Sequence, residues 1–266
     1  DPEKSMSDYE TLRIRRDGYV LVIGLNRPAK RNAFDKTMLE ELALALGEYE
    51  TDTDLRAAVL YGEGPLFTAG LDLASVAAEI QGGASLTPEG GINPWQVDGR
   101  QLSKPLLVAV HGKVLTLGIE LALAADIVIA DETATFAQLE VNRGIYPFGG
   151  ATIRFPRTAG WGNAMRWMLT ADTFDAVEAH RIGIVQEIVP VGEHVDTAIA
   201  IAQTIARQAP LGVQATLRNA RLAVREGDAA AEEQLVPTVR ELFTSEDAAL
   251  GVQAFLSRTT AEFVGR

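Results

Sequence analysis

Across its 266 residues the chain has no cysteine, only three histidines, and aromatic side chains at just 6%. Without cysteine there are no disulfides and no thiolate metal ligands. His111, His180 and His194 are too scattered to give a ligand spacing, so no metal site and no resident cofactor are expected. No apolar run approaches the ~18 residues that a membrane-spanning helix needs, and no apolar leader opens the sequence. The expectation is a soluble, cytoplasmic protein with no membrane partner. Basic residues are also scarce: 24 Lys and Arg against 36 Asp and Glu leave a net charge of −12, which argues against nucleic acid as a partner. Dinucleotide fingerprints, P-loops and G-x-S-x-G elbows are missing too. The stretch "GEGPLFTAG" imitates a glycine-rich nucleotide loop, but it lacks a third glycine in place and Pro65 interrupts it.

At 47% hydrophobic the chain can bury roughly three quarters of its extended surface in one large core with an appendage. Residues 1–5, "DPEKS", precede Met6 and are expected to be an added remnant outside the fold. Short β-rich runs then alternate with helical patterns: "YVLVIGL", "TMLEELALALGEYE" with apolar residues at i, i+3 and i+4, "RAAVLYG", "PLLVAVHG" and "DIVIA". Near-continuous apolar strands between helices predict an α/β core with its sheet covered on both faces. Residues 79–103 read as a long connection and a lid candidate. Beyond "EIVPVGE" the pattern is helical to the end, which divides the chain into a core over residues 6–198 and a helical region over 199–266.

Two glutamates stand out. Glu120 lies in "TLGIELALAAD", a helix apolar around most of its circumference, and Glu140 lies 20 residues later in "FAQLEVNRG". A carboxylate in a buried helix needs partners or takes up a proton, and both conditions suit acid–base chemistry. The first turn of that helix also collects unpaired N–H groups, where a developing negative charge is stabilised. A local basic stretch, "NRPAKRNAFDK", gathers Arg27, Lys30, Arg31 and Lys36 within ten residues of this acidic chain and is a candidate for an anionic ligand.

Taken in order, "LNRPAKRNAF", "LFTAGLDL", "KPLLVAVHGKVLTLGIELALAADIVIADETATFAQLEVNRGIYPFGGATIRFPRTAG", "LTADTFDAVEAHRIGIVQEIVP" and "SEDAALGVQAFLSR" resemble the crotonase superfamily, the enoyl-CoA hydratase/isomerase family. The resemblance implies a spiral of ββα repeats with a C-terminal helical region, assembled as a homotrimer or a hexamer of two trimers. It implies an enoyl-CoA hydratase, with another crotonase-type acyl-CoA enzyme such as an isomerase, or a non-catalytic CoA-binding member, as alternatives. By the same resemblance the N–H groups of Ala69 and Leu117 form an oxyanion hole, and Glu120 and Glu140 are the acid–base pair. Lys30, Arg31 and Ala33 meet the phosphates and adenine of the CoA that the substrate carries. Ala69, Gly70, Leu71, Asp72 and Leu73 line its channel, and Trp95 borders the acyl pocket. Four positions depart from the family pattern: Thr116 and Leu117 replace glycines before Glu120, Leu139 replaces a proline before Glu140, and Ala151 replaces a later glycine. Leu117 therefore raises the question whether φ there suits a β-carbon. His111 reads as structural at a strand end, and Trp161 and Trp167 read as packing residues.

Overall fold

The computed structural model describes residues 8–266, so the expectation for residues 1–5 lies outside the described residues. β1 (Leu12–Asp17) turns back into an antiparallel β2 (Val20–Leu25), every residue of which is buried. There follow a 3-10 turn (Pro28–Lys30), α1 (Lys36–Thr51), β3 (Ala57–Gly62) and α2 (Leu73–Gln81). Then come β4 (Leu106–Val110), β5 (Lys113–Leu115), α3 (Leu117–Ala124), β6 (Ile127–Asp131), β7 (Thr135–Ala137) and a second 3-10 turn (Glu140–Arg143). The last part holds α4 (Ala151–Ala159), α5 (Trp161–Met168), β8 (Phe174–Asp175), α6 (Ala176–Arg181), β9 (Glu187–Val189), α7 (His194–Ala206), α8 (Pro210–Glu226), α9 (Asp228–Leu242) and α10 (Glu246–Ser257).

The large sheet runs β1-β2-β3-β4-β6-β9 and is parallel after its first pair. Parallel neighbours need a crossover, and each crossover here contributes a short extended piece before its helix. Those pieces form a second layer: β5-β7-β8, extended by bridges from Val114 to Thr68 and from Leu71 to Phe34. Strand, short strand, helix is thus the repeating unit, as the ββα spiral requires. Alternation along the large strands sends Leu21, Ile23, Leu60 and Val108 to one core and Val20, Val22, Val59 and Leu107 to the other.

The second core is closed by α7, whose Ala198, Ala202 and Ala206 lie against the sheet. α7 thus belongs to the core layers, and the boundary expected at 198/199 falls inside it. Residues 79–103 begin as the end of α2 and continue irregularly, with Ile92, Trp95 and Leu102 buried. Trp161 differs from its reading as a packing residue: it is 73% exposed at the start of α5, whereas Trp167 packs on Phe174 with ring centroids 4.8 Å apart.

His111 follows β4 and stacks on His194 at 4.6 Å, with Asp131 Oδ2 3.5 Å from His194 Nδ1. Burial, and next the neighbouring His111, push the His194 pKa down to about 4. Folding therefore disfavours the protonated ring, so stability falls as pH drops from about 6.5 toward 4. The expected loss is on the order of 1–2 kcal/mol after allowance for solvent screening. Melting temperatures measured across that interval should fall less steeply for His194→Leu than for the wild type.

Candidate active site

The site begins where β5 enters α3. Thr116 stands at φ +51°, ψ −110°, a region costly for a β-branched residue. The question raised by Leu117 is answered one residue earlier, because Leu117 itself has no positive φ. Gly70 accommodates this turn: a β-carbon there would come within 1.9 Å of Thr116 Oγ1. Such strain is typical of functional sites.

Leu117 is the first residue of α3, so its N–H has no intrahelical acceptor, and among the described residues none takes it. The second expected donor needs correction. Ala69 N–H donates to the Arg31 carbonyl at 2.9 Å and is not available to a ligand. The short bridge to Phe34 uses Gly70 O and Asp72 N, which leaves the Leu71 N–H between them without an acceptor among the described residues. Leu71 and Leu117 line the same cavity, together with Leu73, Thr116, Glu120, Glu140 and Arg143.

Glu120 is 1% exposed, and its Oε2 accepts the Ala151 N–H at 2.9 Å, at the N-terminus of α4. Desolvation is the largest influence and pushes its pKa up to about 7; Glu140 pushes the same way, while the amides of Ala151 and Gly149 and the Arg154 cation oppose it. Glu140 opens the second 3-10 turn, and its buried Oε2 has no hydrogen-bond partner among the described residues. Burial raises its pKa above the ordinary carboxyl value, with Arg143 pulling the other way. Both carboxyl groups line one desolvated space, and the neighbouring Glu140 adds to the burial that raises the Glu120 pKa.

Lys30 and Arg31 are exposed on the loop after β2, and no ion pair occupies either among the described residues. Arg27 instead pairs with Asp35 and Asp72, 3.6 and 3.8 Å away, so both Arg27 and the Asp72 carboxylate serve the loop itself. Ala33 is also engaged internally, through Lys30 O and the Arg27 guanidinium. Buried Asn32 fastens this loop to the next one, donating to the carbonyls of Glu63, Leu66 and Phe67 while Thr68 Oγ1 donates to its own carbonyl. The basic pair is thereby held beside residues 69–73. Asn32 is visible in the motif "KRNAF", but nothing in a single sequence marks it as the anchor.

A second, apolar cavity adjoins the first through Leu71, Leu117 and Phe148. Its wall includes Leu39, Ile80, Leu86 and Trp95. Among the described residues no group of three or more His, Asp or Glu side chains could hold a metal ion.

Residues 15–266 match the family model for enoyl-CoA hydratase/isomerase. The chain is similar to an enoyl-CoA hydratase of Mycobacterium tuberculosis, 32% identical over 95% of this chain and 96% of that one. It is 35% identical to the 2,3-dehydroadipyl-CoA hydratase of Escherichia coli over 95% and 98% of the two chains. A crystal structure of a probable enoyl-CoA hydratase/isomerase from Mycobacterium abscessus matches with a TM-score of 0.96 and 99% identity, covering 97% of this chain and 100% of that one. The crotonase-type spiral and these matches agree: the chain belongs to the enoyl-CoA hydratase/isomerase family.

Proposed function

We propose that this enzyme adds water across the double bond of a trans-2-enoyl-CoA. The observation that carries this reading is one cavity lined by Glu120, Glu140 and the two residues, Leu71 and Leu117, whose amides lack acceptors among the described residues. The thioester oxygen would accept from those two N–H groups as it gains charge. Glu120 removes a proton from water while the water oxygen bonds to C3, and the C2–C3 π electrons move toward the thioester. Glu140 then gives its proton to C2, forming the 3-hydroxyacyl-CoA, and proton exchange resets the pair. The Ala151 N–H favours the ionised form of Glu120 against the burial that raises its pKa, and the Oε2 of Glu140, without a partner among the described residues, leaves room for a donating O–H. An isomerase can work with one carboxylate, so two in one cavity favour hydration.

Lys30 and Arg31 supply the charge for the CoA phosphates, beside a channel formed by Gly70, Leu71, Asp72 and Leu73, and the apolar cavity takes the acyl chain. A trimer or paired trimers would cover Val236, Val239, Phe243, Phe255 and Leu256, which are exposed on and around α9 and α10. Light scattering returning a monomer would refute that assembly.

Loss of enoyl absorbance with crotonyl-CoA and its longer homologues tests the reading, and no turnover on any of them overturns it. The base must be ionised, so kcat/KM should fall as pH drops through about 7, the value to which Glu120 is raised. Glu120→Gln should abolish that acid limb along with most of the rate.

A further inference from the structure

Trp95 touches both parts of the site. Its ring lies edge-on to Phe34, centroids 5.3 Å apart, and walls the apolar cavity. Its indole N–H donates to the Leu117 carbonyl at 2.9 Å. Its own carbonyl accepts from Arg154 Nη1 at 2.5 Å, and the Gln96 carbonyl accepts from Nη2 at 3.1 Å. Gln96 has a left-handed φ of +51°, so this guanidinium braces a strained turn.

Arg154 has little freedom to lie elsewhere. A β-carbon on Gly150 would meet both Arg154 Nη1 and Val97 Cγ1 at 3.0 Å, so the guanidinium is packed on bare backbone. Arg225, Arg221 and Arg157 are close enough to repel it. On the same helix, three residues earlier, Ala151 holds Glu120 Oε2. Glu120 in turn lies three residues after Leu117 on α3. These links close a ring from Leu117 through Trp95, Arg154, Ala151 and Glu120 back to Leu117. The ring joins the residue whose N–H would hold the thioester oxygen to the carboxylate that would take the proton.

We propose that Trp95 and Arg154 are positioning residues that fix the Leu117 amide relative to the Glu120 carboxylate, and that an acyl chain pressing on the Trp95 ring is therefore read in kcat as well as in binding. This rests on the hydratase reading, since it assigns a purpose to the same two groups. The physical reason is leverage. Catalysis by a preset amide and base depends on their relative placement, where a shift of about 1 Å can cost roughly a hundredfold. Trp95 meets the substrate's tail with one side of its indole and the Leu117 carbonyl with its N–H.

Steady-state kinetics on crotonyl-CoA and longer enoyl-CoAs test this with Trp95→Phe, Arg154→Ala, Arg154→Lys and the Trp95→Phe/Arg154→Ala pair. Trp95→Phe keeps the wall and loses the N–H, so kcat should fall by about tenfold with KM nearly unchanged on the short substrate. Arg154→Lys, which can still reach one carbonyl, should retain more activity than Arg154→Ala. The double variant should be about as slow as its slower parent, because both substitutions open one ring. A KM effect without loss of kcat, or losses that multiply in the double variant, would overturn the proposal and leave Trp95 as a wall. Hydrogen exchange of the Trp95 indole N–H gives a readout without turnover. It should be slow in the wild type beside the exposed Trp161 and at least about tenfold faster in Arg154→Ala. An unprotected Trp95 N–H in the wild type would also overturn the proposal. A wild type inactive on every enoyl-CoA but with a protected N–H that Arg154→Ala releases would instead sink the hydratase reading and keep the brace.

Discussion

Glu140→Gln is expected to lower kcat by roughly 10²–10⁴ while leaving the affinity for CoA nearly unchanged, and Glu120→Gln should do the same. The amide is the same size as the carboxyl group it replaces, so the cavity keeps its shape and only proton transfer is lost. The two losses should not multiply in the double variant. Once one partner cannot exchange a proton, the other has no cycle to complete. Stability should move in the opposite direction. Folding raises both carboxyl pKa values, so each ionised carboxylate costs stability as pH rises above the ordinary carboxyl range toward 7. A neutral amide removes that cost, and each Gln variant should melt at or above the wild-type temperature near pH 8. An inactive variant that melts well below the wild type would indicate a damaged fold. A Glu140→Gln enzyme within about threefold of wild-type kcat would remove Glu140 from the chemistry and favour a one-carboxylate reaction such as isomerisation.

The glutamates were legible because a charge inside "GIELALAAD" breaks an apolar helix, and local pattern alone reveals that. Most strands were legible for the same reason: β2, β3, β4 and β6 are apolar runs because both faces of the sheet are covered. β1 is not such a run. Its "LRIRRD" carries three arginines on an edge strand, and only its pairing with β2 reveals it. The free amide of Leu71 escaped for a related reason. Ala69 and Leu71 lie two residues apart, and which amide is left free depends on the Phe34 bridge and the Arg31 carbonyl, both contributed by a different loop. A hydrogen-bonding register across loops cannot be read along one of them. Arg154 was hidden in another way. In "GGATIRFP" it looks like one more surface cation of an amphipathic helix, and only the fold brings the Trp95 and Gln96 carbonyls to it.

Gly149→Ala is expected to lower kcat by about a hundredfold with only a modest fall in melting temperature. A β-carbon at 149 would stand 2.8 Å from Leu117 Cδ2, 2.9 Å from Glu120 Cδ and 3.0 Å from Glu120 Oε1. Both neighbours are buried, so neither can swing into solvent to make room. The carboxylate must shift by some tenths of an ångström to about 1 Å, which strains its bond to Ala151 and misplaces the base. Gly162→Ala is the matched control. Among the described residues nothing beyond its own helix and chain neighbours would lie within 4 Å of its β-carbon, and its φ is not positive, so this helical alanine should be neutral or stabilise by up to ~1 kcal/mol. Activity within about threefold of wild type for Gly149→Ala would mean that Leu117 gives way and the base does not depend on this packing. Adding Leu117→Ala to Gly149→Ala should recover part of the lost rate, because it removes one of the two groups that the new methyl displaces. Leu117 fills space where the family pattern has a glycine, and it is Gly149, across the cavity wall, that leaves the room. One of these two positions must be small for Glu120 to keep its place, and in this chain that position is 149.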